Sequence, residues 1–570
     1  MTPTSSGRPL RLLLLAVLAL ALVISGTSTA EAAKRRVSVS LDSGTRAGLK
    51  GDRVRVTGVA SAPARSTVSL QRKVGSSWRT AASTRTTSVR RFGFDVTLSS
   101  TASFRVRYAG SRSYAAAVSR SFTLSALSCT SRSAPANGTE VLFNRPGGTG
   151  ASTAARKIAQ TICSAQRGSR IDIAMYFIRY YASSWTEANL IVDSLERMAR
   201  YRGVKVRVLL EGRLVRPGLE LRASYLKLRT FADVVTCDFG CHSVVPVSTT
   251  GGTQGIQHHK FMTITDMRWA GDVDPLVLSS TGNWSRAQFN NNWQSTVLQY
   301  DDPVLTREFR VQFEQLLSCA DASRCGSWAT ARRSFGATAE GYTMTLGNGV
   351  WAEPSAERPG TAGRGSSVSF SPQHTSDRMA YALERFSCTA THRTVRVAQM
   401  FVTPSRPRIL DALARLQAQG CDVRVVVNQP VGTAQTAGVA RMLQDGLNVR
   451  CTTGVHEKLI AIDGVDGLGR VDRSIWTGAQ NLGYNALRRN DEAVLRLSTA
   501  AATGTSRTAI AGAHTAYLGY WDQMRATTSR CATVPSTARL DPSVVGPGTA
   551  ELSRLADSLT SDPDDVVPPQ

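Results

Sequence analysis

Two stretches of this chain carry the same chemical residues at the same spacings. The first is Gln257-His258-His259-Lys260-Phe261-Met262-Thr263-Ile264-Thr265, and the second is Val455-His456-Glu457-Lys458-Leu459-Ile460-Ala461-Ile462-Asp463-Gly464. Each is followed by an Asn, Asn283 or Asn481, 25 residues after its His, and by Gln294 or Glu492, 36 residues after it. Chance seldom keeps several spacings in step, so the chain contains an internal duplication. A His and a Lys two apart, running into an apolar stretch, read as one side of a strand. Asp463-Gly464 is expected to end the second strand in a turn.

An imidazole, an ammonium, an amide and a carboxylate on neighbouring strands suit work on a phosphate. Two Lys and two Asn side chains can hold the oxygens of a phosphodiester and offset the charge that builds up in the transition state. A neutral imidazole can attack phosphorus, and a protonated one across the phosphate can give its proton to the leaving oxygen. The Lys pair supplies positive charge, so neither a metal nor another cofactor is expected. An imidazole used this way needs its second nitrogen held by an acceptor. Glu492 suits that task for one His; Gln294 accepts without charge, so the two halves are expected to be unequal.

These residues resemble the phospholipase D superfamily, whose motif is H-x-K-x4-D followed by G-S-x-N. The second copy matches the first element fully, and Gly478-Ala479-Gln480-Asn481 differs from the other only in its Ala. The first copy departs further: Thr265 stands in the Asp position and Ser280-Thr281-Gly282-Asn283 replaces G-S-x-N. The resemblance, over roughly residues 140 to 530, implies a two-histidine route through a phosphohistidine. By that analogy His258 is the nucleophile and His456 the general acid. Lys260, Lys458, Asn283 and Asn481 bind phosphate, and Glu492 and Gln294 orient the rings. Asp463 is read as a structural brace.

In both copies a helix and a strand alternate before the motif. Helices are expected over Ala154 to Cys163, Ala188 to Tyr201, Arg378 to Phe386 and Ile409 to Ala418. Strands are expected over Ile171 to Phe177, Val204 to Leu210, Val395 to Phe401 and Val423 to Val427. This is an α/β pattern of mixed sheets covered by helices. A pseudo-two-fold would bring the two H-x-K strands face to face. The first half is assigned to residues 127–345 and the second to 346–534, with a flexible tail, rich in Pro, Ser, Asp and Thr, over 535–570.

Residues 34–126 alternate apolar and polar positions in short runs such as Val54-Val56 and Phe92-Phe94-Val96, which predicts a small all-β sandwich of immunoglobulin-like type. Of the formal charge of +26 over 570 residues, more than half lies here: 18 Lys and Arg between Lys34 and Arg120 face only Asp42, Asp52 and Asp95. Two expectations compete, a solubilising surface and an anchor to an anionic membrane or cell surface. Residues 1–33 read as a secretory signal, with Arg8 and Arg11, an apolar run from Leu12 to Ile24 and an Ala30-Glu31-Ala32 cleavage pattern; an uncleaved anchor is the alternative. The protein is therefore expected to be secreted.

Export makes ten Cys residues a disulfide framework. Cys237 with Cys241 and Cys319 with Cys325 could close short loops. Cys163 and Cys388 hold matching places in the two halves, with Cys129 and Cys421 as candidate partners. Without a C-x-x-C pair a zinc ribbon is not expected. His259 should point to the opposite strand face, and His242, His374, His392 and His514 fall outside the repeated register. Tyr176, Phe177, Tyr180, Tyr181 and Trp185 form core and loop cover, or else a wall for acyl chains or a platform for bases. The expected substrate is a phosphodiester, with phospholipid favoured, nucleic acid the alternative, and a surface-binding protein with a weakened site the third reading. One chain supplies both halves of the site, so a monomer is expected.

Overall fold

The computed structural model describes residues 33–42, 47–133, 138–147, 150–182, 186–237, 241, 255–269, 272–320, 357–373, 376–430 and 432–531, with four two-residue ladder pieces between 337 and 350. The signal over 1–32, the tail over 535–570, the Cys319–Cys325 pairing, His242, His374 and Trp185 lie outside the described residues. The chain divides into two units, Met1–Ala126 and Leu127–Gln570.

The first unit is all-β. Val39–Leu41, Arg53–Ala60 and Arg91–Thr97 form one sheet. Ala47–Leu49, Phe122–Leu127, Ala102–Tyr108, Thr67–Val74 and Ser77–Arg85 form the other, in that order. The period-2 pattern does what it dictates. Val54 and Val56 turn inward while Arg53 and Arg55 stay exposed. Phe92, Phe94, Leu70, Phe104, Val106 and Phe122 from the two sheets meet in one core. Arg105 lies outside, with its guanidinium 4.5 Å from the Trp78 ring centre.

The second unit holds two sheets of one topology. The first runs Thr139–Asn144, Gln294–Tyr300, Asp272–Ser280, Lys260–Trp269, Arg170–Met175, Lys205–Glu211, Asp233–Cys237. The second runs Arg364–Ser371, Glu492–Ala502, Val471–Gly478, Lys458–Val465, Thr394–Gln399, Asp422–Asn428, Asn448–Thr452, with Arg358–Pro359 added at its edge. Both are mixed: Arg170–Met175 is parallel to Lys205–Glu211 and antiparallel to Lys260–Trp269, and Thr394–Gln399 stands likewise between its neighbours. Local signals fix the helices. Glu187–Arg202 begins at Thr186, whose hydroxyl accepts the Asn189 amide proton, and ends at Gly203, whose φ of 65° suits glycine.

One apolar core draws on both sheets. Phe261 and Val277 of the first meet Phe370, Ala461, Ile475 and Leu495 of the second around two long helices, Pro303–Ala320 and Gly504–Ala526. The disulfides Cys129–Cys163 and Cys388–Cys421 occupy matching places in the halves; Cys237–Cys241 and Cys451–Cys531 are also closed. Among the described residues no helix is long and apolar enough to cross a membrane.

Several boundaries differ from the sequence expectation. Gly150–Cys163 starts four residues early, and the first strand ends at Met175, leaving Tyr176 and Phe177 beyond it. The Asp463-Gly464 turn is a correction: the strand continues to Val465 because both residues pair with Arg473 and Asp472. The reversal comes at Asp466, whose carboxylate caps the Leu468 and Arg470 amides.

Arg406 anchors the second half near the repeated motif. Its guanidinium is buried, donates to both carboxylate oxygens of Asp377 at 2.7 and 2.9 Å, and reaches the Asn481 carbonyl at 3.4 Å. Burial alone would raise Asp377, but Arg406 outweighs it and holds the carboxyl below its ordinary value. Asp377→Ala leaves a buried cation without its partner and should destabilise the fold by roughly 3–5 kcal/mol, measured by denaturant unfolding; an unchanged midpoint would refute the assignment.

Candidate active site

The two His-x-Lys segments meet where the halves exchange backbone pairing. Gln257 bridges Asp491, and Val455 bridges Trp293. The His258 amide donates to the Asp491 carbonyl at 2.9 Å, and the His456 amide donates to the Trp293 carbonyl at 3.0 Å. In return the Asp491 amide donates to the Ile256 carbonyl at 2.9 Å and the Trp293 amide to the Gly454 carbonyl at 2.7 Å. Each pair maps onto the other under the internal duplication, which is the signature of a pseudo-two-fold. The histidines are therefore not strand residues: the regular strands start at Lys260 and Lys458. This corrects the simple strand reading. The backbone of each His is spent on the opposite half rather than on its own sheet.

Around His258 the partner comes from the other half. Its Nδ1 lies 3.2 Å from Glu492 Oε1, an ion-pair distance but too bent for a hydrogen bond. Glu492 is fully buried and steadied by Asn490 Nδ2 at 2.9 Å. The Tyr176 ring stands edge-on to the imidazole, with centres 5.2 Å apart, and Lys260 Nζ sits 5.6 Å from the same ring centre. Lys260 Nζ also donates to the His258 carbonyl at 3.0 Å.

Around His456 the arrangement changes. Lys458 Nζ lies 3.0 Å from His456 Nδ1 and donates to the His456 carbonyl at 2.9 Å. It crosses to the first half, donating to the Thr281 carbonyl at 3.2 Å. Met400 takes the position of Tyr176, its sulfur 3.8 Å from Lys458 Nζ. Gln294 is the counterpart of Glu492 in the first half. Gln294 is buried against Gly282, where an added Cβ would fall 1.7 Å from its Oε1. Asn283 and Asn481 follow the second strand of each motif. Both keep a shielded Oδ1 to which no group donates among the described residues, and an amide so placed can turn its NH2 toward an anionic oxygen.

Burial and the two ammonium groups dominate the electrostatics. Desolvation, then Lys260, Lys458 and His456, push His258 well below the ordinary imidazole value. Desolvation, then Lys458 and Lys260, do the same to His456. Both lysines thus act on both rings, and the cross-half backbone pairing together with the reach of Lys458 to the Thr281 carbonyl draws the four groups to one basin. Burial pushes Glu492 up to about 8 against the pull of Lys260. Glu457, between His456 and Lys458 in sequence, is buried on the other face. It accepts from Ser295 Oγ at 2.9 Å, and burial pushes it up to about 7.

Asp463 lies away from the basin, held by His392 Nδ1 at 2.8 Å and Arg473 Nε at 3.3 Å. At the corresponding point of the first half, Thr265 accepts from the Arg170 amide and donates to Asp266. His259 packs edge-on against Phe261 and Phe370. His514 is buried on the last long helix, where desolvation lowers it to about 4. Phe177 joins Tyr176 and Ile256 in an apolar cluster beside His258. Sequence reasoning missed Asp491, Thr281 and Met400. Thr281 and Asp491 act through backbone carbonyls, which carry no residue signature, and Met400 has no periodic signal.

A family model described as cardiolipin synthase, PLD-like domain, matches residues 158–317 and 388–510. No curated protein matches. Among solved structures, a polyphosphate kinase from Porphyromonas gingivalis is similar at 13% identity and a TM-score of 0.35, over 63% of this chain and 47% of that one. A phospholipase D family member, Nuc, from Salmonella typhimurium is similar at 19% identity and a TM-score of 0.22, over 29% of this chain and 95% of that one. The chain thus spans about half the length of the kinase.

Glu457 generates a pH prediction. Its carboxyl titrates near 7 when folded and near 4.5 when free. The stability this confers is complete below the lower value and is lost as pH rises through the upper one. The gap corresponds to about 3 kcal/mol. Glu457→Gln should remove that part of the decline when unfolding is followed by denaturant from acid to neutral pH. A variant whose stability falls as steeply as wild type would show that Glu457 ionises freely.

Proposed function

The chain belongs to the phospholipase D superfamily, and from that premise we propose that it is a secreted phosphodiesterase that hydrolyses phospholipid head groups. The observation that carries the reading is the basin itself: two buried imidazoles and two buried ammonium groups drawn together from opposite halves. The apolar cluster of Tyr176, Phe177 and Ile256 beside His258 favours a lipid, as does the description of the matching family model. The N-terminal signal pattern and four disulfides support export. The Arg-rich first unit supports an anionic membrane or cell surface as a partner.

The ring environments support a division of labour. Lys458 donates toward His456 Nδ1, which favours the tautomer with its proton on Nε2, ready to be given away. His258 Nδ1 faces Glu492 at 3.2 Å, whose carbonyl oxygen can accept an Nδ1 proton even while the raised carboxyl is neutral, and that tautomer leaves a lone pair on Nε2 for attack. In the proposed first step His258 Nε2 bonds to phosphorus, the bond from phosphorus to the head-group oxygen breaks, and His456 Nε2 protonates that oxygen while Lys458 Nζ passes a proton to Nδ1, so the ring ends the step neutral. In the second, His456 Nε2 takes a proton from water as Nδ1 returns its proton to Lys458, the water oxygen bonds to phosphorus, and the bond to His258 breaks. Lys260, Lys458, Asn283 and Asn481 hold the non-bridging oxygens throughout.

Trapping tests this order. With a p-nitrophenyl phosphodiester, whose leaving group needs no acid, His456→Ala should accumulate a covalent adduct that mass spectrometry maps to His258. His258→Ala should form none. An adduct on residue 456 in the second variant would reverse the roles. A panel of choline phospholipid, plasmid DNA and the chromogenic ester, all with chelator, tests the substrate. Head-group release is expected; nicking alone would select a nuclease, which the net charge of +26 favours.

A further inference from the structure

Residues 212–229 lie beside the basin and carry a surface that the hydrolytic site does not use. The short turn Gly212–Val215 and the helix Arg222–Arg229 send Leu214 and Leu221 inward against Tyr176, Phe177 and Ile256. Tyr176 is the ring that touches His258. The outer side of the same segment is apolar: Leu219 is 47% exposed and Leu226 48% exposed, with Ala223 exposed between them. Leu219, in the turn that leads into the helix, and Leu226, on the helix, thus stand half-exposed within one layer of the residues around His258.

Cations flank that stripe. Arg216 and Arg229 are exposed. Arg222 covers the Tyr225 ring, 4.8 Å from its centre, and Arg229 approaches the same ring at 5.5 Å. Among the described residues, Glu220 pairs with Arg179, and Glu196 with Lys227 and Arg200. An apolar stripe rimmed by arginines is complementary to the interface of an anionic bilayer, with hydrocarbon below and phosphates around it. It is a poor match for single-stranded nucleic acid, whose bases want exposed aromatic faces; the Tyr225 ring here is occupied by its own arginines.

We propose that residues 212–229 dock the protein on an anionic phospholipid bilayer, Leu219 and Leu226 entering the acyl boundary and Arg216, Arg222 and Arg229 meeting lipid phosphates, so that the basin at His258 opens onto the membrane surface. The proposal rests on the lipid reading above.

The test uses the full chain and separates insertion from charge. Co-sedimentation is measured with vesicles of phosphatidylcholine mixed with phosphatidylglycerol, and of phosphatidylcholine alone, at low and high salt. Turnover of the soluble p-nitrophenyl ester is measured in parallel. Wild type should prefer the anionic vesicles. The double variant Leu219→Ser, Leu226→Ser should lose about tenfold or more in partitioning at both salts, with soluble turnover unchanged. Arg216→Gln with Arg229→Gln should lose binding at low salt only, because high salt already screens charge. Leucine variants that sediment like wild type overturn the proposal, as does an arginine variant that loses oligonucleotide binding while vesicle binding stays intact. Failure of wild type to turn over the soluble ester, with the leucine effect on vesicles present, would instead sink the hydrolytic reading and leave the docking surface standing.

Discussion

The site depends on four backbone hydrogen bonds that tie each half to the other. They run between the segment that leads into one histidine and the residue just before Glu492 or Gln294 of the other half. A buried amide or carbonyl left unpaired is expensive, so neither histidine segment is satisfied until both halves have docked. Alignment of the imidazoles and closure of the shared core are therefore one event. Two long helices and the inner faces of both sheets fill that core without a break, which leaves the halves no freedom to slide.

Within that symmetry the His, Lys and Asn pairs are equal, but the residues that surround them are not. Tyr176 answers to Met400, His259 to Glu457, Trp293 to Asp491, and Gln294 to Glu492. The inequality has a direction. Glu492 brings a carboxyl to His258, whereas the Nδ1 of His456 meets an ammonium donor. Identical rings thereby meet different groups at Nδ1, a carboxyl in one half and an ammonium in the other. Asp491 adds to this: its backbone pairs with the His258 segment while its Oδ2 accepts from the Cys241 amide at 2.5 Å. The Cys237–Cys241 loop is thus tied to the first histidine through a residue of the second half.

Much of this was legible in the residues. The duplication, the α/β order of each half, the all-β N-terminal region and the resemblance to the superfamily all followed from spacing and periodicity, because a strand repeats every two residues and a helix every 3.6. Element ends were less legible. Tyr176 and Phe177 continue the apolar run of their strand, yet the ladder stops at Met175 because the Tyr176 amide turns to the His259 carbonyl. The role of Asp463 as a brace could be guessed from its distance along the strand, but its partners His392 and Arg473 come from elsewhere in the fold.

The sequence by itself determined which groups are available for phosphate chemistry, since residue type and register are local properties that survive without any fold. It could not say which carboxylate serves which histidine. That was decided by the pairing of Gln257 with Asp491 and of Val455 with Trp293, contacts between segments roughly 160 to 240 residues apart that no local pattern encodes. Burial was decided there too: His258, His456, Lys260 and Lys458 are polar residues buried where the two halves pair, and desolvation at that seam is the largest cause that lowers the proton affinity of both histidines.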